Sequence, residues 1–154
     1  MSHIIDEDEI YTYGILMEKD LEESVRLIAH TFTKYNPIEA YLKTTYEQFY
    51  SYALAIAKAT LEDQLSIIAV HKQTKEIHGL ATKLQQILLI YCRQRGFKQV
   101  FVEVANPATY HIYTKKLKGK EFTSISLPTF ISSDGRRPFE DYNGELQLIV
   151  FYLQ

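Results

Sequence analysis

One acidic residue lies in a stretch that is otherwise apolar. Glu103 is part of "VFVEVA" (residues 100–105), a β-prone run. Burial disfavours the charged form of a carboxyl group, and a carboxyl group whose pKa is raised in this way can serve as a general base near neutral pH. Glu103 is therefore a candidate proton acceptor. The equally plain alternative is a solvent-facing carboxylate at the rim of a sheet.

A second stretch places a glycine directly in front of a helical pattern. The first amides of a helix have no partners within the helix and lie at the positive end of its dipole, so they attract phosphate. Glycine lets a phosphate come close to the backbone. The candidate phosphate-binding residues are Gly79, Leu80, Ala81 and Thr82, and the hydroxyl of Thr82 is a further donor. Glycine before a helix is common, so this pattern is weak by itself.

The surrounding sequence predicts alternating strands and helices that would position these residues. Strands are predicted at residues 10–17, 65–72, 97–105, 121–130 and 144–154, and helices at 18–35, 44–63, 79–96 and from Asn106 to residue 117. Asp20 suits the start of the first helix, and residues 72–79 suit a turn followed by a hairpin strand. The alternation indicates an α/β fold with a central sheet that is parallel in part and ends in an antiparallel pair.

Composition narrows the classes of function. A length of 154 residues predicts one domain spanning 1–154, and a net charge of −2 argues against nucleic-acid binding. The single Cys92 fits a reducing compartment, and neither a signal pattern nor a membrane-length apolar run is seen, so we expect a cytoplasmic protein without a membrane partner. His71 and His78 do not make a metal site without further ligands.

The longest specific pattern is "GLATKLQQILLIYCRQRGFKQVFVEVANPATYHIYTKKL", residues 79–117. With the order of elements around it, this stretch resembles the GNAT (Gcn5-related N-acetyltransferase) superfamily, and most closely its arylalkylamine-type members. The resemblance covers almost the whole chain. It implies a GNAT fold, with a central mixed, twisted sheet flanked by helices. It also implies acetyl-CoA as co-substrate, no metal, a small-molecule primary amine as acceptor, direct attack in a ternary complex and a possible homodimer.

The resemblance also implies roles for individual residues. Tyr113, seven residues after Asn106, matches the tyrosine that protonates the CoA thiolate, and Tyr110 is the alternative. Asn106 matches a residue that contacts the pantetheine arm, although a plain helix cap is equally compatible with its position. Glu103 matches a glutamate that serves as base in some members. Residues 79–82 match the end of the loop that holds the pyrophosphate.

Two other functions stay open. A non-catalytic GNAT-like module could bind acyl-CoA or a protein partner, and a protein acetyltransferase could act on an N-terminus or a lysine. The tyrosines of the second helix region suggest an aromatic-lined acceptor pocket; they are Tyr41, Tyr46, Tyr50 and Tyr52.

The sequence departs from the family pattern in several places. The fourth strand, expected between the hairpin and the phosphate loop, has no room between Glu76 and Gly79, because a strand usually needs about five residues. Either the chain lacks this strand naturally, or residues are absent between Glu76 and Leu80, which is the explanation we favour. Glu76 replaces a residue that would favour phosphate, and Asn36 replaces an acidic residue proposed as base. A glycine after the tyrosine helix falls one residue late, which a local bulge could absorb.

Overall fold

The computed structural model describes residues 3–153, without the side chain of Ala81. The chain combines helices and strands, as predicted. It divides into two compact units, one up to Arg95 and one from Gly96 onward. Each unit is described by itself, and a single domain over the whole chain stays a prediction.

The first unit contains a four-stranded antiparallel sheet and four helices. Its strands are β1 (Ile4–Glu7), β2 (Tyr11–Ile15), β3 (Ile67–His71) and β4 (Ile77–His78), and its helices are α1 (Glu18–Tyr35), α2 (Pro37–Leu42), α3 (Tyr46–Leu61) and α4 (Ala81–Gln94). The strand order is β1-β2-β3-β4. The β1 strand was not predicted.

Local side chains explain where the helices of this unit begin. Met17, not Asp20, is the N-cap of α1, and Asp20 lies in the first turn, where a negative charge favours the dipole. Asn36 ends α1 and caps α2, since its Oδ1 accepts the amide of Ile38 at 2.9 Å. Thr45 begins α3 with a capping box that includes Gln48.

Apolar side chains on both faces of the sheet form the core of this unit. On one face, α1 and α3 pack against β3 through residues that include Val25, Ala29 and Ile68. On the other face, Tyr13, Ala69 and Ile87 are almost completely buried. Because alternate residues of β3 point to opposite faces, one strand supports both clusters.

The β4 strand is only two residues long. It pairs with β3 through Ala69 opposite His78 and Val70 opposite Ile77. The chain then continues through Gly79 and Leu80 into α4 without a cis peptide bond. The coding sequence around this point is the measurement that distinguishes a naturally short strand from absent residues.

The second unit contains β5 (Gln99–Val104), α5 (Pro107–His111), β6 (Lys120–Ser126) and β7 (Glu145–Tyr152). A π-helical turn, Ile112–Lys116, continues α5, and a 3₁₀ turn, Leu127–Thr129, follows β6. The three strands form an antiparallel sheet in the order β5-β7-β6. The predicted antiparallel pairing of the last two strands is confirmed, and β7 is the central strand of this sheet.

The prediction of one central, partly parallel sheet needs a correction. Among residues 3–153, the strands form two sheets, and every paired strand is antiparallel to its neighbour. The physical reason lies at β4, because a two-residue strand provides no ladder on which a further strand could pair in parallel.

The glycine that falls one residue late is Gly119, and the close packing around it explains the residue type. A Cβ added here would lie 2.6 Å from Cγ2 of Ile149 and 2.7 Å from Cζ of Phe151. The expected bulge is also present, because the register of β6 against β7 shifts between Glu121 and Thr123. Gly119 therefore lets the start of β6 lie close against β7.

Candidate functional site

Tyr113 lies in the π-helical turn and packs into the second unit. Its side chain is 7% exposed and meets Phe151 edge to face, with ring centroids 6.0 Å apart. Burial raises the pKa of the Tyr113 phenol above its ordinary value. The phenol therefore keeps its proton at neutral pH, as a proton donor must. A π-helical turn within a helix frequently marks a functional position.

The turn around Tyr113 is closed by a hydrogen-bonded C-terminal motif. The amide of Leu117 donates to the carbonyl of Ile112 at 3.0 Å, and the amide of Gly119 donates to the carbonyl of Tyr113 at 2.9 Å. Lys118 adopts the left-handed conformation between them, with φ of 63°. The left-handed residue reverses the chain after the π-helical turn, so that the amide of Gly119 satisfies one of the last carbonyls of the helix.

Asn106 is confirmed as the N-cap of α5. Its Oδ1 accepts the amide of Ala108 at 2.8 Å, and Pro107 occupies the first helical position. This cap fixes the start of the helical segment that carries Tyr113. A contact between Asn106 and a pantetheine arm stays a prediction.

We expect Asn106→Ala to lower the free energy of unfolding by about 1 kcal/mol, because the amide of Ala108 would lose its acceptor. Asn106→Asp keeps a carboxylate oxygen at the same place and should retain most of the stability. Urea unfolding of both variants checks this expectation. If Asn106→Asp lowered the free energy of unfolding as much as Asn106→Ala does, the capping role would be contradicted.

Tyr110, the alternative acid, lies one turn before Tyr113. Its hydroxyl donates to Oε2 of Glu121 at 2.7 Å. This hydrogen bond, with a smaller contribution from desolvation, raises the pKa of Tyr110. The phenolic proton of Tyr110 is therefore already donated in a hydrogen bond to a carboxylate.

Glu103 is exposed. Of the two alternatives for this residue, the buried carboxyl group is therefore wrong. The β5 strand alternates, with Val100, Val102 and Val104 more buried than the residues between them. Glu103 faces solvent and lies opposite Leu148 of β7 in the ladder. The rim carboxylate is thus the arrangement that the structure has, and its role as base stays a prediction.

The start of α4 has the open backbone that an anion site needs. Leu80 is the N-cap and makes no side-chain cap hydrogen bond. The first bond of the helix runs from the amide of Leu84 to the carbonyl of Leu80, so the three preceding amides have no partner within the helix. A Cβ added to Gly79 would meet no atom within 4 Å, which leaves space beside the backbone.

Charges of both signs lie near this helix start. Lys83, in the first turn of α4, has its Nζ 3.5 Å from Oδ2 of Asp6 and 5.5 Å from the ring centre of Tyr13. Glu76 is exposed, with Oε2 3.7 Å from Nε2 of His78. Sequence reasoning missed Lys83, although a basic residue in "GLATK" directly after the phosphate-binding candidates was a usable signal.

The predicted residues thus fall into two groups, each within its own unit. Asn106, Tyr110 and Tyr113 lie on one continuous helical segment of the second unit, which begins where β5 ends. The four phosphate-binding candidates lie together at the start of α4 in the first unit. Within residues 3–153, no cluster of three His, Cys, Asp or Glu side chains could hold a metal ion. No helix in this range is long and apolar enough to cross a membrane.

Comparison with solved structures gives the fold. The C-terminal condensation domain of Ebony, solved in complex with beta-alanyl-dopamine, matches with a TM-score of 0.83 and 13% identity, over 92% of this chain and 98% of that one. Arylalkylamine N-acetyltransferase 2 from Aedes aegypti matches with a TM-score of 0.75 and 12% identity, over 94% and 99%. An N-acetyltransferase from Staphylococcus aureus Mu50 matches with a TM-score of 0.62 and 13% identity, over 94% and 99%.

These matches identify the fold as that of the GNAT N-acetyltransferases, as predicted from the sequence. No protein-family model matches the chain, and no curated protein matches it in sequence.

Proposed function

We propose that this protein is an acetyl-CoA-dependent N-acetyltransferase that acetylates a primary amine of a small molecule. The observation that carries the proposal is a GNAT fold over more than nine-tenths of the chain, in which the buried Tyr113 lies on a helical segment that directly follows a strand. The solved proteins with this fold include an arylalkylamine N-acetyltransferase and a condensation domain bound to a dopamine derivative.

In this proposal, the amine nitrogen attacks the thioester carbon directly. The new C–N bond forms as the C–S bond breaks, and Tyr113 donates its phenolic proton to the departing sulfur. The nitrogen gives up a proton to Glu103 or to a chain of water molecules that ends at solvent. The exposure of Glu103 suits this last step, because an exposed carboxylate can pass a proton on to water.

The start of α4 suits the pyrophosphate of acetyl-CoA. The unpaired amides of its first turn, the open space at Gly79 and the hydroxyl of Thr82 can accept an anion there. Lys83 can add a positive charge if it leaves Asp6, whereas the exposed carboxylate of Glu76 opposes an anion.

We expect Gly79→Ala to leave the free energy of unfolding within about 0.5 kcal/mol, because the added methyl group meets no atom within 4 Å. The same methyl group would obstruct the approach of a phosphate to the backbone. Acetyl-CoA affinity should therefore fall by roughly tenfold, or about 1.4 kcal/mol. Calorimetric titration and urea unfolding check the two parts, and unchanged affinity would remove Gly79 from the binding site.

The function itself is tested in two steps. Acetyl-CoA binding is measured by calorimetry, and thiol release is then measured over a panel of arylalkylamines, polyamines and peptide N-termini. We expect binding together with turnover of a small amine. Turnover confined to peptides would point to a protein acetyltransferase, and no affinity for acetyl-CoA would overturn the proposal.

A second candidate function is a non-catalytic GNAT-like module that binds acyl-CoA or a protein partner. The two-residue β4 favours it, because the strand that follows in the family pattern is absent between His78 and α4. Binding of acetyl-CoA without turnover of any amine would support this candidate. A full strand in the uninterrupted coding sequence between Glu76 and Leu84 would remove its main support.

A further inference from the structure

A cavity of about 300 Å³ opens in the first unit, where α1, β3, β4 and the start of α4 meet. Its wall is largely aliphatic and aromatic, formed by Leu27, Ile28, Phe32, Ile67, Ile77 and Leu84. The short β4 explains the space, because it covers only Ala69 and Val70 of β3 and leaves Ile67 without a neighbouring strand on that side. Gly79 also borders the cavity and contributes no side chain.

One buried polar side chain in this wall has no hydrogen-bond partner among the described residues. Ser24 borders the cavity and is only 6% exposed, and its Oγ makes no hydrogen bond within the described residues. A buried hydroxyl without a partner is costly and therefore needs an explanation. By contrast, Thr31 in the same wall donates its hydroxyl to the carbonyl of Leu27 at 2.7 Å.

The residues that border the cavity also indicate what charge a suitable ligand has. In the described part of the chain, the residues that border the cavity include no Asp, Glu, Lys or Arg. His78 borders it, but its Nδ1 is already 3.1 Å from the hydroxyl of Tyr11. A charged group would lose its hydration here without gaining a counter-charge, so an uncharged ligand is favoured.

We infer that this cavity binds a small, uncharged, mainly apolar molecule that carries one hydroxyl or carbonyl oxygen. The apolar part fills the space between α1 and α4, and the oxygen bonds to the Ser24 hydroxyl after a rotation about its χ1 angle. An apolar cavity of about half this volume can hold a benzene ring, so a ring with a short side chain fits. The inference concerns the first unit alone and does not depend on acetyl transfer.

Three probes of nearly equal shape test the chemistry of the site. 3-Phenyl-1-propanol has the hydroxyl group, propylbenzene lacks it, and 3-phenylpropylammonium carries a positive charge at the same place. We expect the alcohol to bind about fivefold more tightly than propylbenzene, as one hydrogen bond provides. The ammonium compound should bind more weakly than the alcohol by at least about tenfold. Backbone amide shifts in NMR titrations should change around Ser24, Ile77 and Leu84.

Ser24→Ala is expected to change ligand binding and protein stability in opposite directions. The variant should unfold at a temperature about 3 °C higher than the parent, because the unpaired hydroxyl is gone. It should also bind the alcohol no more tightly than propylbenzene. Thr31→Val is the matched control, since its hydroxyl is already bonded within α1, and it should keep the fivefold preference.

The outcomes are decisive in either direction. Loss of the preference in Ser24→Ala and its retention in Thr31→Val support the site. The inference is overturned if Ser24→Ala keeps the preference, if the ammonium compound shifts the amides around Ser24, Ile77 and Leu84 at as low a concentration as the alcohol does, or if the alcohol leaves those amides unshifted. It is also overturned if no probe binds, or if self-association of the protein at NMR concentrations covers these residues.

Discussion

Tyr113→Phe is expected to lower kcat by about 10²- to 10⁴-fold, because the variant keeps the ring but has no proton for the departing sulfur. KM should change little, since binding of acetyl-CoA does not need that proton. The fold should remain intact because the Phe ring can still meet Phe151 edge to face. Thiol release measured at saturating acetyl-CoA checks the rate, and circular dichroism checks the fold.

The protonation of Tyr113 also leads to an expectation for how the activity depends on pH. Burial raises the pKa of Tyr113 above its ordinary value of 10. The protonated phenol, which is the form that can donate, is therefore present at lower pH and is lost only as the pH rises through the raised pKa. An activity limb that falls between pH 8 and pH 10 must therefore belong to another group. Tyr110→Phe is the matched control and should cost no more than a few-fold in kcat. A larger loss in Tyr110→Phe than in Tyr113→Phe would assign the acid to Tyr110.

Gly119→Ala is expected to destabilise the protein by about 1–3 kcal/mol. The added methyl group would lie 2.6 Å from Ile149 and 2.7 Å from Phe151, side chains that are themselves buried and cannot move freely. Since Phe151 also packs against Tyr113, we expect kcat to fall together with stability.

Urea unfolding of Gly119→Ala beside Gly79→Ala checks this expectation. Both variants add one methyl group to a glycine, but Gly79 has open space where Gly119 has packed side chains. Equal stability of the two variants would show that the contact between the start of β6 and β7 is looser than described.

Elements with strong periodic patterns or clear caps could be predicted from the sequence. Asn106 followed by Pro107 correctly predicted α5, since an acceptor side chain and a fixed φ favour a helix start. The same pair at Asn36 and Pro37 directly follows the predicted helix 18–35, but no helix was predicted to begin there, so α2 was missed. In both places the asparagine Oδ1 accepts an amide two residues ahead.

Features that depend on contacts between distant residues could not be predicted. The apolar neighbours of Glu103 left a buried carboxyl group and a solvent-facing one as equal alternatives. Gln99, Phe101 and Glu103 share the exposed face of an alternating strand. Ser24 belongs to no sequence motif, and its significance comes only from the missing hydrogen-bond partner.

The π-helical turn has a consequence for how this segment can evolve. A π turn holds one residue more than an α-helical turn, so deletion of one residue between Tyr113 and Gly119 would convert it to the commoner form. Each residue turns an α-helix by about 100°, and the tyrosine would then point away from Phe151 or the glycine would leave its place against Ile149. We therefore expect homologous chains to vary the residues between these two positions while keeping their number constant.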